Sequence, residues 1–423
     1  MSRRSSYAIV LGACVVPRLV VLLHERGAIL ADNTEKSDSF ATTFIHSGTY
    51  GFIPGVASAW TQPGYSFFLI PVYWIFGRHW ETVGLGQIAL AAATALIVYE
   101  TGRRFLSQRA GLIAAVVATL NPYLVWHDVH VNREIVDQLL AAAIVYLTLL
   151  VSERTVARVR LVAVSLGVVL ALGILANTRL LFLPLVLAAY VLWQRRSWIP
   201  PALCVGACVL LLVPWAVRND VSVGCFTLST DTKALWKANN AHTYATLAAG
   251  KWIDDVPDLP GAPKTPEYAG AYWDAHHVLI PVNECAQQSF YRSKALSFVV
   301  DHPGEKAKLA GQAVRMLWDP RVQKTEGRPG AGGFLDRART WVQPLYEIPL
   351  YLLALAGLFL MPRRVAALIV LLLGYQTVVA IGFAGDTRYR VVWDFTLALA
   401  AGVAIVQIWA WLSARKAAPR TVP

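Results

Sequence analysis

Long apolar runs, most of them close to twenty residues, recur along this chain and alternate with short polar segments. A soluble core does not need runs of that length, whereas a helix crossing the hydrocarbon of a bilayer needs about 20 predominantly apolar residues. The pattern predicts ten spanning helices, over 7–24, 82–101, 110–126, 135–151, 160–177, 178–193, 198–216, 343–361, 365–383 and 391–412. An eleventh run, 64–77, is short and follows Pro63, so it is read as an interfacial or re-entrant helix. The runs 160–177 and 178–193 meet at Asn177-Thr178-Arg179. One helix over both would be too long for the membrane, so a tight turn is expected between them. Two long segments, 25–81 and 217–342, lie outside the spans. The second has Pro- and Gly-rich stretches and, at 285–317, the pattern of an amphipathic helix pair broken at Pro303. No internal repeat is visible. The expected fold class is an all-α polytopic membrane protein.

Composition agrees, with 56% of residues hydrophobic and 15% charged, against about a quarter charged in soluble domains. A net charge of +12 would suit a nucleic-acid partner, but the basic residues sit in short clusters between apolar runs, which is the signature of membrane topology. With the N-terminus in the cytoplasm, the inner segments hold Arg3, Arg4, Arg103, Arg104, Arg109, Arg154, Arg158, Arg160, Arg195, Arg196, Arg363, Arg364, Arg415, Lys416 and Arg420. The short outer turns hold only Arg133, Arg179, Arg388 and Arg390. The positive-inside rule therefore places both termini in the cytoplasm of a cell (inner) membrane and 25–81 and 217–342 outside. No cleavable leader is read in the first apolar run, which carries Arg18 and no clean small-residue cleavage site. The expected division is an N-terminal bundle (1–216) with the first outer loop (25–81), an extracytoplasmic segment (217–342) and C-terminal spans (343–423). Cys14, Cys204 and Cys208 fall in apolar runs. Cys225 and Cys285 share the second outer segment, where they either pair or stay as free thiols.

With this topology the unusual polar residues converge on the outer face. The first outer segment offers Asp32, Glu35 and Asp38. The turn after the third span, 121–134, carries His127, Asp128, His130, Arg133 and Glu134. Other turns add Arg179, Arg218-Asn219-Asp220 and Asp386-Thr387-Arg388-Tyr389-Arg390. Cytoplasmic arginines have a topogenic role; outer ones oppose that rule and need another reason. One is snorkelling to headgroups. The other is phosphate, which suits arginine's planar fork. A carboxylate beside them suits a general base for a hydroxyl acceptor. His-Asp-x-His at 127–130 has the residue types of a divalent-metal site, or is a set of hydrogen-bonded interfacial side chains. The Gly-rich stretch 329–333 lacks the Gly-Lys-Ser/Thr ending of a P-loop and is read as a loop. Arg18 and Asp137 are the charges nearest mid-membrane and have no obvious sequence partner. A transporter or flippase of lipid-linked sugars would need more such charges and symmetric halves. A non-catalytic cell-envelope assembly protein would carry a degenerate site.

At these residues the chain resembles the GT-C-type glycosyltransferases related to protein O-mannosyltransferases and the lipid A aminoarabinose transferase (bacterial glycosyltransferase family 39). Residues 35–52, from Glu35 through Gly48-Thr-Tyr-Gly-Phe, resemble the family's first outer loop. Ala59-Trp-Thr-Gln-Pro-Gly-Tyr with Phe76-Gly77 resembles the helix that follows. Pro214-Trp-Ala-Val-Arg-Asn219 and Leu235-Trp-Lys-Ala-Asn-Asn240 are similar to its Pro-Trp-x-x-Arg-Asn and Leu-Trp-x-x-Asn-Asn patterns, and Arg388-Tyr-Arg390 to its Arg-Tyr-Arg element. The resemblance implies a polyprenyl-phosphate sugar donor, inversion at the anomeric carbon, and acceptor recognition by 217–342. The acceptor would be a glycan, lipid or protein hydroxyl; membrane lipids are the surroundings, and nucleic acid is not a partner. It implies a catalytic acid in the first loop, for which Asp38 stands first, Glu35 second and Asp32 third. Glu134 matches a second family acid and Arg179 a basic position. Arg133, Arg218, Arg388 and Arg390 are expected around the donor phosphate, with Asp128, Asn219, Asn239 and Asn240 in the binding face. Some family members use a divalent cation; no ligand set for one is assigned here.

Overall fold

A computed structural model of the chain describes residues 2–31, 35–323 and 334–417. Among them the only regular elements are helices. The first outer loop between α1 (Arg3–Glu25) and the next span is itself helical, with α2 (Lys36–Ser47) and the Pro-initiated α3 (Pro63–Phe76). The bundle continues through α4 (Trp80–Phe105), α5 (Gln108–Thr119), α6 (Pro122–His127), α7 (Glu134–Ser152), α8 (Val159–Ala176), α9 (Leu183–Arg195) and α10 (Ile199–Val223). Short helices α11 (Lys233–Lys237), α12 (Thr243–Ala248) and α13 (Pro266–His276) precede the pair α14 (Glu284–Asp301) and α15 (Pro303–Trp318), broken at Pro303 as the sequence pattern predicts. The chain returns through α16 (Phe334–Leu360), α17 (Arg363–Gly382), α18 (Thr387–Val391) and α19 (Asp394–Ala417). The Gly-rich stretch 329–333 lies outside the described residues.

Eight of the described helices are long and apolar enough to span a membrane. The two other expected spans, 110–126 and 178–193, are realised as shorter helices. The first breaks because Pro122 has no amide to continue α5 and the Asn121 side chain instead accepts the Tyr123 N–H, starting α6. The second begins late because Asn177 caps a single 3-10 turn at Thr178–Leu180, and α9 starts only at Leu183-Pro184. That turn is the tight connection expected at Asn177-Thr178-Arg179. At a rise of about 1.5 Å per residue, α5 and α9 are too short to cross the full hydrocarbon thickness alone. The protein is a multi-pass membrane protein. Its core is a layer in which α19 packs on α5 and α16, and α7 packs on α4 and α8. Small residues permit this closeness: a side chain at Gly357 would run into the Ala400 backbone.

Arg18 has a partner that the sequence did not reveal. Its guanidinium donates to Asp128 Oδ2 (2.9 and 2.7 Å) and to the Thr119 carbonyl (2.9 Å). Gln138 Nε2 donates to the other Asp128 oxygen at 2.9 Å. Both ions are buried, and a buried charge is tolerable only when paired and hydrogen-bonded in this way. Asp137, the second mid-depth charge, accepts from Asn177 Nδ2 at 2.8 Å. At one end of the bundle, Arg3 and Arg103 close on Glu100, and Arg104 on Glu153. The turns that carry Glu35, Arg133, Trp252 and Arg388 meet at the other end. There Cys225 and Cys285 form a disulfide that ties the end of α10 to α14, which resolves the two readings of that cysteine pair.

Candidate active site

The turns at that end enclose a cavity of about 560 Å³. One wall comes from the loop between α6 and α7, which Gln87 holds by donating to the carbonyls of Asp128 (2.8 Å) and His130 (2.7 Å). This loop presents Asn132, Arg133 and Glu134 to the cavity. Glu35, from the first outer loop, and Arg388, from α18, also line it. A small recess of about 20 Å³ shares Glu134, Arg388 and Tyr389 as walls and adds Asp137, Asn177 and Arg179. That is room for about one water molecule.

The arginines here lean on rings and amides. Arg133 donates to Gln62 Oε1 at 3.1 Å. The Arg179 guanidinium lies 3.3 Å over the Tyr389 ring, and Arg388 lies 4.7 Å over Trp252. Among the described residues neither Arg133 nor Arg179 has a carboxylate oxygen within 4.0 Å. Held over a π-face, the Arg179 guanidinium keeps its N–H fork available for a planar or tetrahedral anion.

The two first-loop acids are separated by one turn of helix and by their surroundings. Glu35 is the N-cap of α2, and its Oε1 accepts from Ser37 N (3.3 Å) and Ser37 Oγ (3.0 Å). Asp38 is turned the other way. Its Oδ1 accepts from Tyr73 Oη (2.6 Å) and Arg78 Nε (3.0 Å), and its Oδ2 from Arg78 Nη2 (2.7 Å). The sequence ranked Asp38 first; it is Glu35 that lines the cavity, and Asp38 is not among the lining residues. Asp32 lies outside the described residues.

Several expected site residues hold structure instead of facing the cavity. Asp128 belongs to Arg18. Arg390 is buried and donates to Glu347 Oε1 (2.9 Å), Asp394 Oδ2 (3.3 Å) and the Asp319 carbonyl (2.7 Å). Arg218 donates to the carbonyls of Ser58 (2.8 Å) and Tyr50 (3.1 Å), fixing the first outer loop onto α10. Asn219 donates to the Thr227 carbonyl, Asn239 to those of Leu235 and Gly382, and Asn240 to that of Trp236. These turn-fixing bonds account for the Arg-Asn and Asn-Asn patterns without a ligand. As for a divalent cation, no three His, Cys, Asp or Glu among the described residues come together as a ligand set. His127 stacks on Tyr123 and His130 on Trp126, while Asp128 faces Arg18. The described residues at 127–130 do not fit a metal site.

The sequence reading missed the far side of the cavity. There Lys36 binds Glu267 at 3.0 Å. Burial works to lower the Lys36 ammonium, yet Asp231, Glu267 and Asp254 together hold it above its ordinary value. Burial raises the Asp231 carboxyl, and Lys36 opposes that rise. These residues come from separate segments, so no local spacing announced them; only their excess of charge within an outer segment of a membrane protein was visible.

The comparisons with known proteins bear on this geometry. The family model described as dolichyl-phosphate-mannose-protein mannosyltransferase matches residues 61–217, the stretch from α3 to α10. The archaeal oligosaccharyltransferase AglB from Archaeoglobus fulgidus, solved with an inhibitory peptide and a dolichol-phosphate, superposes with a TM-score of 0.57 at 13% identity, over 100% of this chain and 52% of that one. The same organism's oligosaccharyltransferase with a tethered acceptor peptide gives 0.55 at 12% identity, over 97% and 51%. The chain has the fold of the GT-C-type membrane glycosyltransferases. The resemblance read from the outer-loop motifs is borne out by these matches. The chain spans about half the length of the oligosaccharyltransferases it superposes on. ArnT from Cupriavidus metallidurans bound to undecaprenyl phosphate also matches, at a TM-score of 0.48 and 14% identity over 100% of this chain and 82% of that one. No curated protein sequence matches the chain.

Proposed function

We propose that the protein is an inverting glycosyltransferase that moves a sugar from a polyprenyl-phosphate donor to an acceptor hydroxyl on the extracytoplasmic side. The observation that carries this reading is the single cavity lined by Glu35, Glu134, Arg133 and Arg388, with Arg179 in the adjoining recess. The dolichol-phosphate bound by the structurally similar AglB supports a lipid-phosphate donor. The Cys225–Cys285 disulfide supports an oxidising compartment for this end of the bundle.

In the reaction, the acceptor oxygen attacks the anomeric carbon from the face opposite the phosphate. A new C–O bond forms as the C–O bond to the phosphate breaks. Glu35 receives the acceptor's proton. The bonding electron pair departs on the phosphate oxygen, where Arg133, Arg179 and Arg388 meet the developing charge. Glu134, next to Arg133 at the start of α7, favours that cation through its charge, with no carboxylate oxygen among the described residues within 4.0 Å of it.

The test is sugar transfer by the full chain in membranes carrying their own labelled lipid-linked sugars. Glu35→Gln keeps an oxygen for the Ser37 cap but cannot accept the proton, so transfer is expected to fall by about 10²–10⁴-fold with the fold intact. Transfer at the full rate in Glu35→Gln would sink the assignment.

A further inference from the structure

Beyond the arginines, the cavity is also walled by the second outer segment and the start of α2. Two indoles line this part, Trp60 and Trp252. Trp60 is 1% exposed, and its backbone is fixed by Ser58 Oγ, which accepts from its N–H, and by Ser229 Oγ, which donates to its carbonyl. Its indole Nε1–H nevertheless finds no acceptor among the described residues. Buried indole N–H groups ordinarily have one.

The charges around the two rings balance. Lys36, Lys233 and Lys237 line this part, and so do Asp231, Asp254 and Glu267. Asp258 lies between Lys233 (2.9 Å) and Lys237 (3.7 Å). With Arg388 over the Trp252 ring, four cations meet four carboxylates here, so there is no excess of either sign to recruit a polyanion or a polycation. Yet donors and acceptors are dense on every side. A wall of that kind suits a neutral ligand with many hydroxyls, each of which both donates and accepts. The partly buried Trp252 ring suits the C–H face of a sugar ring, which carries the positive edge that an aromatic face attracts, while the buried Trp60 offers its indole N–H.

We propose that the acceptor is a neutral saccharide, seated in the part of the cavity that carries Trp60 and Trp252. This rests on the transferase reading above. The other acceptor chemistries fit less well. Peptides are held by strand addition or by an apolar groove for a helix. Among the described residues there is no strand, only an isolated bridge between Ile53 and Val56, and this wall is charged. A lipid tail would require an apolar wall. A saccharide headgroup on a lipid and a free glycan share the same chemistry.

The test is binding to the full chain in lipid nanodiscs, read by tryptophan fluorescence. The probes are the neutral and acidic saccharide fractions, peptides, glycolipids and sugar-free lipids released from the source cell's envelope, with dolichyl phosphate measured in parallel. The neutral saccharides are expected to bind. Asp254→Asn, Asp231→Asn and Trp252→Leu should each weaken them about tenfold, while the two Asn variants leave dolichyl phosphate affinity unchanged. Binding of the free saccharide points to a glycan, and binding of the intact neutral glycolipid alone points to a headgroup; both support the proposal. Tighter binding of the acidic fraction, peptides or sugar-free lipids overturns it and leaves the transferase reading standing. So does unchanged saccharide binding in all three variants. Dolichyl phosphate that fails to bind the wild-type chain overturns the transferase reading and this proposal together.

Discussion

Arg390 and Arg179 stand at the same end of the bundle and are built into it in opposite ways. Arg390 is enclosed by two carboxylates, Glu347 and Asp394, and caps the end of α15 through the Leu317 and Asp319 carbonyls. Asn121 and Gln343 donate to the same Glu347 oxygen, so five side chains from α6, α16, α18 and α19 or their caps form one knot. Among the described residues Arg179 has only the Ala384 carbonyl at 3.5 Å and two aromatic faces, with Arg133 and Arg388 as cationic neighbours and Asp386 as the acid that offsets them in part. A saturated arginine contributes to the fold; one surrounded by cations and rings raises the local potential and is relieved when an anion arrives. Both were outer-face arginines in the sequence, and only their partners tell them apart.

The largest effect expected from this contrast is on stability. Arg390→Met leaves Glu347 and Asp394 buried without their cation, a loss of about 3–5 kcal/mol. The yield of monodisperse protein and its thermal midpoint in detergent should both fall sharply. A variant that stays as stable as wild type would show that the knot is not holding the fold. Arg179→Met removes no ion pair among the described residues, so its midpoint should stay close to wild type. Its dolichyl phosphate affinity should instead drop by about 10–100-fold, the loss of a hydrogen bond to a charged group. Equal stability losses in the two variants would erase the distinction drawn between them.

How far the sequence could anticipate this follows from where each signal lies. The helices were legible because apolar length is local, and so was the break at Pro303. The shortening of α5 at Asn121-Pro122 was also present in the residues, as a cap followed by a proline, but it lay inside an otherwise apolar run. Arg18 and Asp128 are 110 positions apart, and nothing in the neighbourhood of either points to the other. The patterns Arg218-Asn219 and Asn239-Asn240 were visible as motifs, yet motif visibility does not separate a ligand contact from a bond that fixes a turn. Asn239 shows this, since it joins α11 to the end of α17 through the Gly382 carbonyl and receives Lys306. The outer charges Lys36, Asp231 and Glu267 act as a group only after three segments have been folded together.

The smallest and sharpest test concerns the two acids that the sequence could rank only by alignment. Asp38 is a saturated carboxylate of the Arg390 kind, with Tyr73 and both ends of the Arg78 fork on it. Glu35 lines the cavity while capping α2 through Ser37. Arg78 remains partly exposed, with 37% of its side chain accessible. Asp38→Asn should therefore cost about 1 kcal/mol of stability or less, in the range of solvent-screened pairs, and should lower transfer by less than tenfold through small shifts of α2. If Asp38→Asn instead removes transfer while the protein keeps its thermal midpoint, and Glu35→Gln does not, then the proton goes to Asp38. Arg78 would then have to release that carboxylate when the acceptor enters, and the rule that charges on the cavity wall mark the site would fail at the residue that matters most.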